Sequence, residues 1–592
     1  MAKIRRYISN MAKNIIKCLL LALVLMVAAC NKDGEIVSTS IPIISGTMNT
    51  RYEIKHNHKI TIQPEVINGE NATYEWLIDG DKVGSQSSYV FVGKQIGTTY
   101  IDFKVTTVEG RDSIVYRVDV VPLEPPVVVF EGRDDVIEVL VGTYTFIRPH
   151  YGGGEVEKYQ WTLDGEECDE TASFSAEFEN VGDHTLSIKV SNEDGENKAT
   201  TTLRVVEHLT GRIHFPPALI SQTLEGANGS TNNGASRNIP YRNVAIGHTL
   251  ALAPTIENFN APSYEWRVDG ELVSSDEVLL FKPEEYKLYD VCVTVRDDDG
   301  YSLSANVEVE CCDAEWTFHR SRPTNATTDR WNRVYEYIPA AGQFINEQKS
   351  GFEGVGTHAQ AIAYAEKRMS EGEYVSLGGW GGVLVVGFDY SIDNGEGYDF
   401  SVKGNIHEGS SEPAIVWVMQ DTNGNGQPDD VWYELRGSEY DSQDSRRRYA
   451  VTYFRPVVEQ MSVWWSDNAG ATGEIERMPQ HHQPSYYPHW IVADNYTLYG
   501  SLLAPNTTHD GVNYQNNPYA WGYADNKGSD TLAEDSHSCG FDISNAVRED
   551  GEPMELGYID FVKVQSAINH TAGLLGEVSA EVVDIAARRR EQ

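Results

Sequence analysis

The stretch YEWLIDG, Tyr74–Gly80, decides the fold because it returns twice, as YQWTLDG at Tyr159–Gly165 and YEWRVDG at Tyr264–Gly270. Each copy is followed by a second match: VTTVEG (Val105–Gly110), VSNEDG (Val190–Gly195) and VRDDDG (Val295–Gly300). The separation from Trp to the later Gly is 34 residues every time. Alternation within the motif turns Tyr and Trp to one face of a strand, and Asp-Gly closes a hairpin. An inward Trp on a central strand, with short strands recurring through about 85–105 residues, predicts an immunoglobulin-like sandwich.

The boundaries follow from these repeats. Expected are sandwiches over 40–122, 123–207 and 208–312, with a larger C-terminal β-sandwich or jelly roll over 313–592, so the fold class is all-β. The run Val121-Pro122-Leu123-Glu124-Pro125-Pro126 marks the first joint, and the second falls near Val206–Pro217. The pattern "Y-x-W-x-x-D-G … V-x-x-x-x-G" resembles the PKD-like family of bacterial surface proteins. That resemblance implies spacer or adhesion modules and brings no catalytic residues.

At the N-terminus, Lys3, Arg5, Arg6, Lys13 and Lys17 precede an apolar run, Cys18–Ala29, too short to span a membrane. Val27-Ala28-Ala29-Cys30 resembles the lipobox of bacterial lipoproteins, which implies a signal peptide over 1–29, lipidation of Cys30, and a linker over 30–39. The following NKDGE resembles the surface-export signal of Bacteroidetes lipoproteins. The expected location is the outer face of the outer membrane, held by the lipid. The net charge of −41 repels phosphate backbones, so nucleic acid is excluded as a partner. Cys168, Cys292, Cys311, Cys312 and Cys539 show no zinc spacing; a Cys292–Cys311 disulfide and isolated thiols both remain open.

After Cys312 the repeat stops. One helix is expected, with Thr357 as its N-cap before HAQAIAYAEKRMSEG. Strand signals surround it at 374–392, 398–405, 414–420, 431–437, 448–454 and 556–567, and Val383–Phe388 reads as buried on both faces. Between two of these runs lies DTNGNGQPDD. Asp421, Asn423, Asn425, Gln427 and Asp429 alternate as calcium ligands do, and Gly426 permits the bend. Trp432 stands where an EF-hand has its bidentate Glu, so the loop is no EF-hand. It resembles the calcium turns of thrombospondin-type repeats, and a plain Asx-rich turn is the alternative.

Residues 464–523 are rich in aromatics and amides and read as long loops. Trp464, Trp465, Tyr486, Tyr487, His489, Trp490, Tyr519, Trp521 and Tyr523 are the candidate ligand contacts, since flat rings stack on sugar or macrocycle faces. There is no GxSxG, HExxH or P-loop, and the chain is read as non-catalytic. The stretches 378–394, 416–440 and 557–585 resemble Bacteroidetes cell-surface proteins that accompany TonB-dependent transporters, including those for vitamin B12. That implies capture of a small ligand, a corrinoid or a glycan, for handover to such a transporter, with the sandwiches as a stalk that lifts the C-terminal domain away. Adhesion without a small ligand and glycan-active catalysis stay open beside it.

Overall fold

The computed structural model describes residues 41–45, 49–130, 136–224, 240–312 and 328–588. Cys30 and the N-terminal segment lie outside them. The described residues are nearly all-β with one α-helix among them, and the chain divides into two compact units, through Leu123 and from Glu124 onward. Among the described residues no helix is long and apolar enough to cross a membrane.

The first unit is one sandwich. Its larger sheet runs Arg51–Lys55, Arg111–Val121, Gly97–Thr106, Thr73–Ile78, Asp81–Gly84, with the first pair parallel and the rest antiparallel. The facing layer consists of Ile43–Ser45 with Glu65–Ile67, and Lys59–Ile62 with Tyr89–Val92. The second and third sandwiches repeat this plan around Lys158–Leu163 and Ser263–Val268. Trp76, Trp161 and Trp266 are each fully buried. Each indole N–H donates to a backbone carbonyl ten residues on: Gln86 (2.8 Å), Thr171 (2.9 Å) and Asp276 (2.9 Å). The polar edge of the ring is thereby satisfied inside an apolar core.

The hairpin turns are equally uniform. Asp79, Asp164 and Asp269 have φ near 50°, and Gly80, Gly165 and Gly270 near 87°. Two successive positive φ values are what a two-residue type I′ turn needs. Each strand then bulges one residue after the Trp position begins the hairpin pairing.

The C-terminal domain packs an antiparallel six-stranded sheet against a four-stranded one. The first runs Arg333–Ile338, Val383–Asp393, Tyr558–Ser566, Ala414–Met419, Tyr433–Leu435, Ala546–Val547. The second runs Thr472–Ile475, Val463–Asp467, Arg446–Phe454, Asn495–Leu502. Both contribute to one apolar core. Val383–Phe388 is buried at every position, as its unbroken apolar run requires. The helix spans His358–Ser370; the Thr357 hydroxyl accepts from Gln360 N, and His358, Ala361, Ala365 and Met369 form its buried stripe. The region expected to be long loops contributes three of the four strands in the second sheet, Val463–Asp467, Thr472–Ile475 and Asn495–Leu502. Its periodicity is masked because Gly473 and Gly500 sit where Trp465 and Gln565 press against the backbone.

The second and third sandwiches do not stand apart from this domain. His150 stacks on Trp464 at 4.6 Å and meets Glu474 at 3.0 Å. Val129 joins the cluster of Phe454, Met461 and Trp464. From the third sandwich's leading segment, Ile220 and Leu224 enter the core of the C-terminal domain. Ile220 N and Ser221 N donate to the buried Glu336 carboxylate (3.1 and 2.8 Å). The stalk expectation is corrected for these two modules, because both are docked.

Two outcomes follow. Trp76→Ala should destabilise the first sandwich by about 3–5 kcal/mol, and calorimetry should show the second unit's transition unchanged. A 313–592 fragment, lacking Ile220, Ser221 and Leu224, should melt lower than a 208–592 fragment, and equal melting temperatures would refute the docking.

Candidate functional site

Docking of the third sandwich creates a cleft of about 130 Å³ between it and the C-terminal domain. The Asp-rich loop builds one wall. Its side chains first close the loop on itself: Asp421 Oδ2 accepts from Gly426 N (2.9 Å), Asn423 Oδ1 from Asn425 N (3.0 Å) and Asn425 Oδ1 from Gln427 N (2.7 Å). The amide groups of Asn423 and Asn425 both donate to Asp429 (3.1 and 2.9 Å). These are Asx turns, with the Asp429 charge held by amide donors.

The loop's far end faces the third sandwich. Asp430, buried, accepts from Asn243 Nδ2 (3.0 Å) and Thr422 N (3.0 Å). Burial raises its pKa, as do the neighbouring Asp429 and Asp421 charges. Val431 packs on the core of the third sandwich, and the Trp432 indole donates to Ala218 O (2.9 Å). The loop thus clamps one domain to another and sets Trp432 over the cleft.

The cleft's floor comes from the six-stranded sheet. Lys563 lies on the strand Tyr558–Ser566, between two indoles, with its ammonium 4.4 Å from the Trp417 ring and 4.9 Å from the Trp432 ring. Among the described residues it makes no ion pair. Burial brings its pKa down to about 7, against the opposing charges of Glu336, Glu434 and Glu549. Glu434 accepts from the Ser501 hydroxyl (2.6 Å), and burial pushes its pKa up to about 7. The Trp417 indole N–H is buried with no hydrogen-bond partner among the described residues. Arg242, Arg447, Arg448 and Arg548 also line the space; with Lys563 they give five cations against the three carboxylates of Asp430, Glu434 and Glu549. The rim carries Tyr440 and Tyr499. Two of the cations have partners at the cleft's edge, Arg448 with Glu277 and Arg548 with Asp550.

The aromatics singled out from the sequence lie elsewhere. Tyr486, Tyr487, Trp490 and Tyr523 are buried in the core of the C-terminal domain, and Trp464 in the seam with the second sandwich. The Tyr487 hydroxyl donates to Ala493 O (2.9 Å), and Trp490 stacks on His358 at 5.2 Å. Trp465 is half-buried over Gly473, and Tyr519 packs on Tyr523 at 5.4 Å. The expectation of one aromatic binding face is corrected for the five buried rings, which have no surface to offer. His489 is exposed, and Trp521 lines a separate cavity of about 260 Å³ beside the buried Asp530. Cys292 and Cys311 are free thiols.

The residues of the cleft were not singled out from the sequence. The signals were present: Lys563 is a lone cation in the apolar strand YIDFVKVQS, and Trp417 and Trp432 flank the Asp-rich loop. A buried charge in such a strand needs a partner, and the sequence cannot show that none lies nearby.

The comparisons with known proteins bear on the sandwiches. Residues 42–107 match the PKD-like domain family. No curated protein matches the chain. Solved structures similar to it include an I-band fragment from titin, 12% identical, covering 46% of this chain and 99% of that chain at a TM-score of 0.22. The immunoglobulin domains 1–5 of Sidekick-1 are 14% identical over 46% of this chain and 59% of that chain, with a TM-score of 0.22. The EC1-3 portion of Drosophila N-cadherin is 13% identical over 45% and 98%, with a TM-score of 0.21. The class rests on the chain's own architecture: three sandwiches of one strand plan in tandem, followed by a larger β domain. Its first module is PKD-like.

Asn243→Leu removes the donor that the third sandwich supplies to Asp430. Leaving that carboxylate unsatisfied should cost about 1–3 kcal/mol, read as a lower melting temperature of the second unit. Asn243→Asp should be more harmful, since it sets two carboxylates together.

Proposed function

We propose that the protein is a lipid-anchored surface protein of the outer membrane that captures a small anionic ligand in the cleft, without turnover, for handover to a TonB-dependent transporter. The tandem PKD-like and immunoglobulin-like modules are of the kind found in structural and adhesive surface proteins, and they supply the framework. The observation that carries the ligand reading is Lys563, held between Trp417 and Trp432 with no ion pair among the described residues, beside an indole donor with no partner among them. A ligand that brings an anion and a flat or apolar body would complete all three groups. A corrinoid, with the phosphate of its nucleotide loop, and an acidic glycan both have that chemistry.

The pH dependence follows from the two central groups. Lys563 is cationic below about pH 7 and loses its charge above it. Glu434 is neutral below about pH 7 and repels anions above it. Both changes strengthen anion binding as pH falls. Intrinsic tryptophan fluorescence, titrated with cyanocobalamin, a uronic-acid oligosaccharide and a neutral oligosaccharide, tests the reading. One of the two probes that carry an anionic group, the phosphodiester of cyanocobalamin or the carboxylates of the uronic-acid oligosaccharide, should bind, more tightly at pH 6 than at pH 8. Lys563→Met should weaken that binding by roughly 10–100-fold, the range for losing a hydrogen bond to a charged group. Binding of the neutral sugar alone, or equal binding by the variant, would overturn it.

A further inference from the structure

We propose that Glu412, Asp525 and Glu581 form a calcium site in the C-terminal domain, separate from the cleft. Each offers a carboxylate oxygen, and the three oxygens lie within 4.8 Å of one another. They arrive from distant parts of the chain. Glu412 precedes the strand Ala414–Met419, Asp525 lies in the segment after Trp521, and Glu581 opens the short strand Glu581–Val582.

Backbone contacts fix the three relative to each other. Asp525 accepts from Asn405 N through Oδ1 and from Glu581 N through Oδ2, both at 2.8 Å, and Glu412 N donates to Asp525 O at 2.9 Å. A Cβ at position 404 would come within 2.4 Å of Asp525 Oδ1, so only Gly404 allows the approach. Asp525 and Glu581 are buried, while Glu412 keeps part of its surface open and gives an ion a way in.

A second observation points to a ligand. Glu577 is 3% exposed, and its Oε1 accepts from Gln343 N at 2.7 Å, yet its buried Oε2 has no hydrogen-bond partner among the described residues. Glu577 stands close enough to Glu412 for its charge to raise the Glu412 pKa. Among the described residues no Lys, Arg or His forms an ion pair with any of these four acids. Buried carboxylates without a cation are costly; such groups are normally paired or bound to metal. The set is all oxygen, with no imidazole or thiolate, which suits a hard cation, and three protein carboxylates converging on one point suit calcium over magnesium, which keeps most of its waters and takes one or two carboxylates.

Without the ion the cluster must hold protons. Burial and the neighbouring acids raise the pKa of Glu412 and Glu581, and burial brings Asp525 to about 7. A carboxyl whose folded pKa is raised stabilises the fold at low pH and loses that contribution as pH rises. Calcium would replace the protons and release them.

The test uses the full chain, stripped with EDTA and dialysed. Calcium should bind at this site by calorimetry and should raise the melting temperature at pH 8 by several degrees. Glu412→Gln, on the open side, and Glu581→Gln should each abolish the binding heat and most of the shift, while remaining folded by circular dichroism. Asp421→Asn, in the Asx-rich loop, should leave both intact. The assignment is overturned if calcium neither binds nor shifts the melting of the wild type, if magnesium alone does so, or if the response survives in both Gln variants.

Discussion

One hydrogen bond sets the sandwich modules: the indole N–H of the central Trp to a backbone carbonyl ten residues later. It lets the largest side chain sit at zero exposure without an orphaned donor. The carbonyl lies just beyond the hairpin strand, so the bond is geometrically possible only when that strand turns back tightly. The Asp-Gly turn with two positive φ values provides the reversal, and the bulge at Trp aims the ring inward. Trp, Asp and Gly are therefore one device, which is why they recur together while the residues between them drift.

A second level of structure uses these modules as walls. The C-terminal domain could have covered its sheets with its own chain; it uses the second and third sandwiches instead. Trp464 buries its ring against His150, and Glu336 receives the exposed backbone amides at the start of the Ile220 turn. The Asx-rich loop belongs to the same seam. Its inner bonds stiffen Asp421–Asp429, so that Asp430, Val431 and Trp432 emerge in a fixed direction toward Asn243 and Ala218. The cleft exists because this seam is closed at the loop and left open around Lys563.

Local signals carried the fold far. Period-two alternation, Asp-Gly and the Thr357 cap depend on neighbours within a few residues, and the strands and helix they mark are present. The site was less legible because it is assembled across domains: Arg242 and Ala218 come from one, Trp417, Trp432 and Lys563 from another. The aromatic-rich segment misled for a related reason. Tyr and Trp fill cores as readily as they line clefts, and the hydroxyls of Tyr486, Tyr487 and Tyr523 meet the backbone at Met478, Ala493 and Glu439. Composition alone does not separate those cases; the position of the backbone around each ring does.

Charge gives the last constraint. The chain carries 88 acids against 47 Lys and Arg, so a cation placed anywhere on its surface would find a carboxylate at little expense. Lys563 does not. It sits in a central strand, flanked by indoles, with Glu336 tied to backbone amides and Glu434 tied to Ser501. Its nearest acids are thus already occupied by donors of their own. Burial holds its pKa down, against the opposing pull of the Glu336, Glu434 and Glu549 charges, so its protonation is set by the balance between desolvation and three nearby acids rather than by one ion pair.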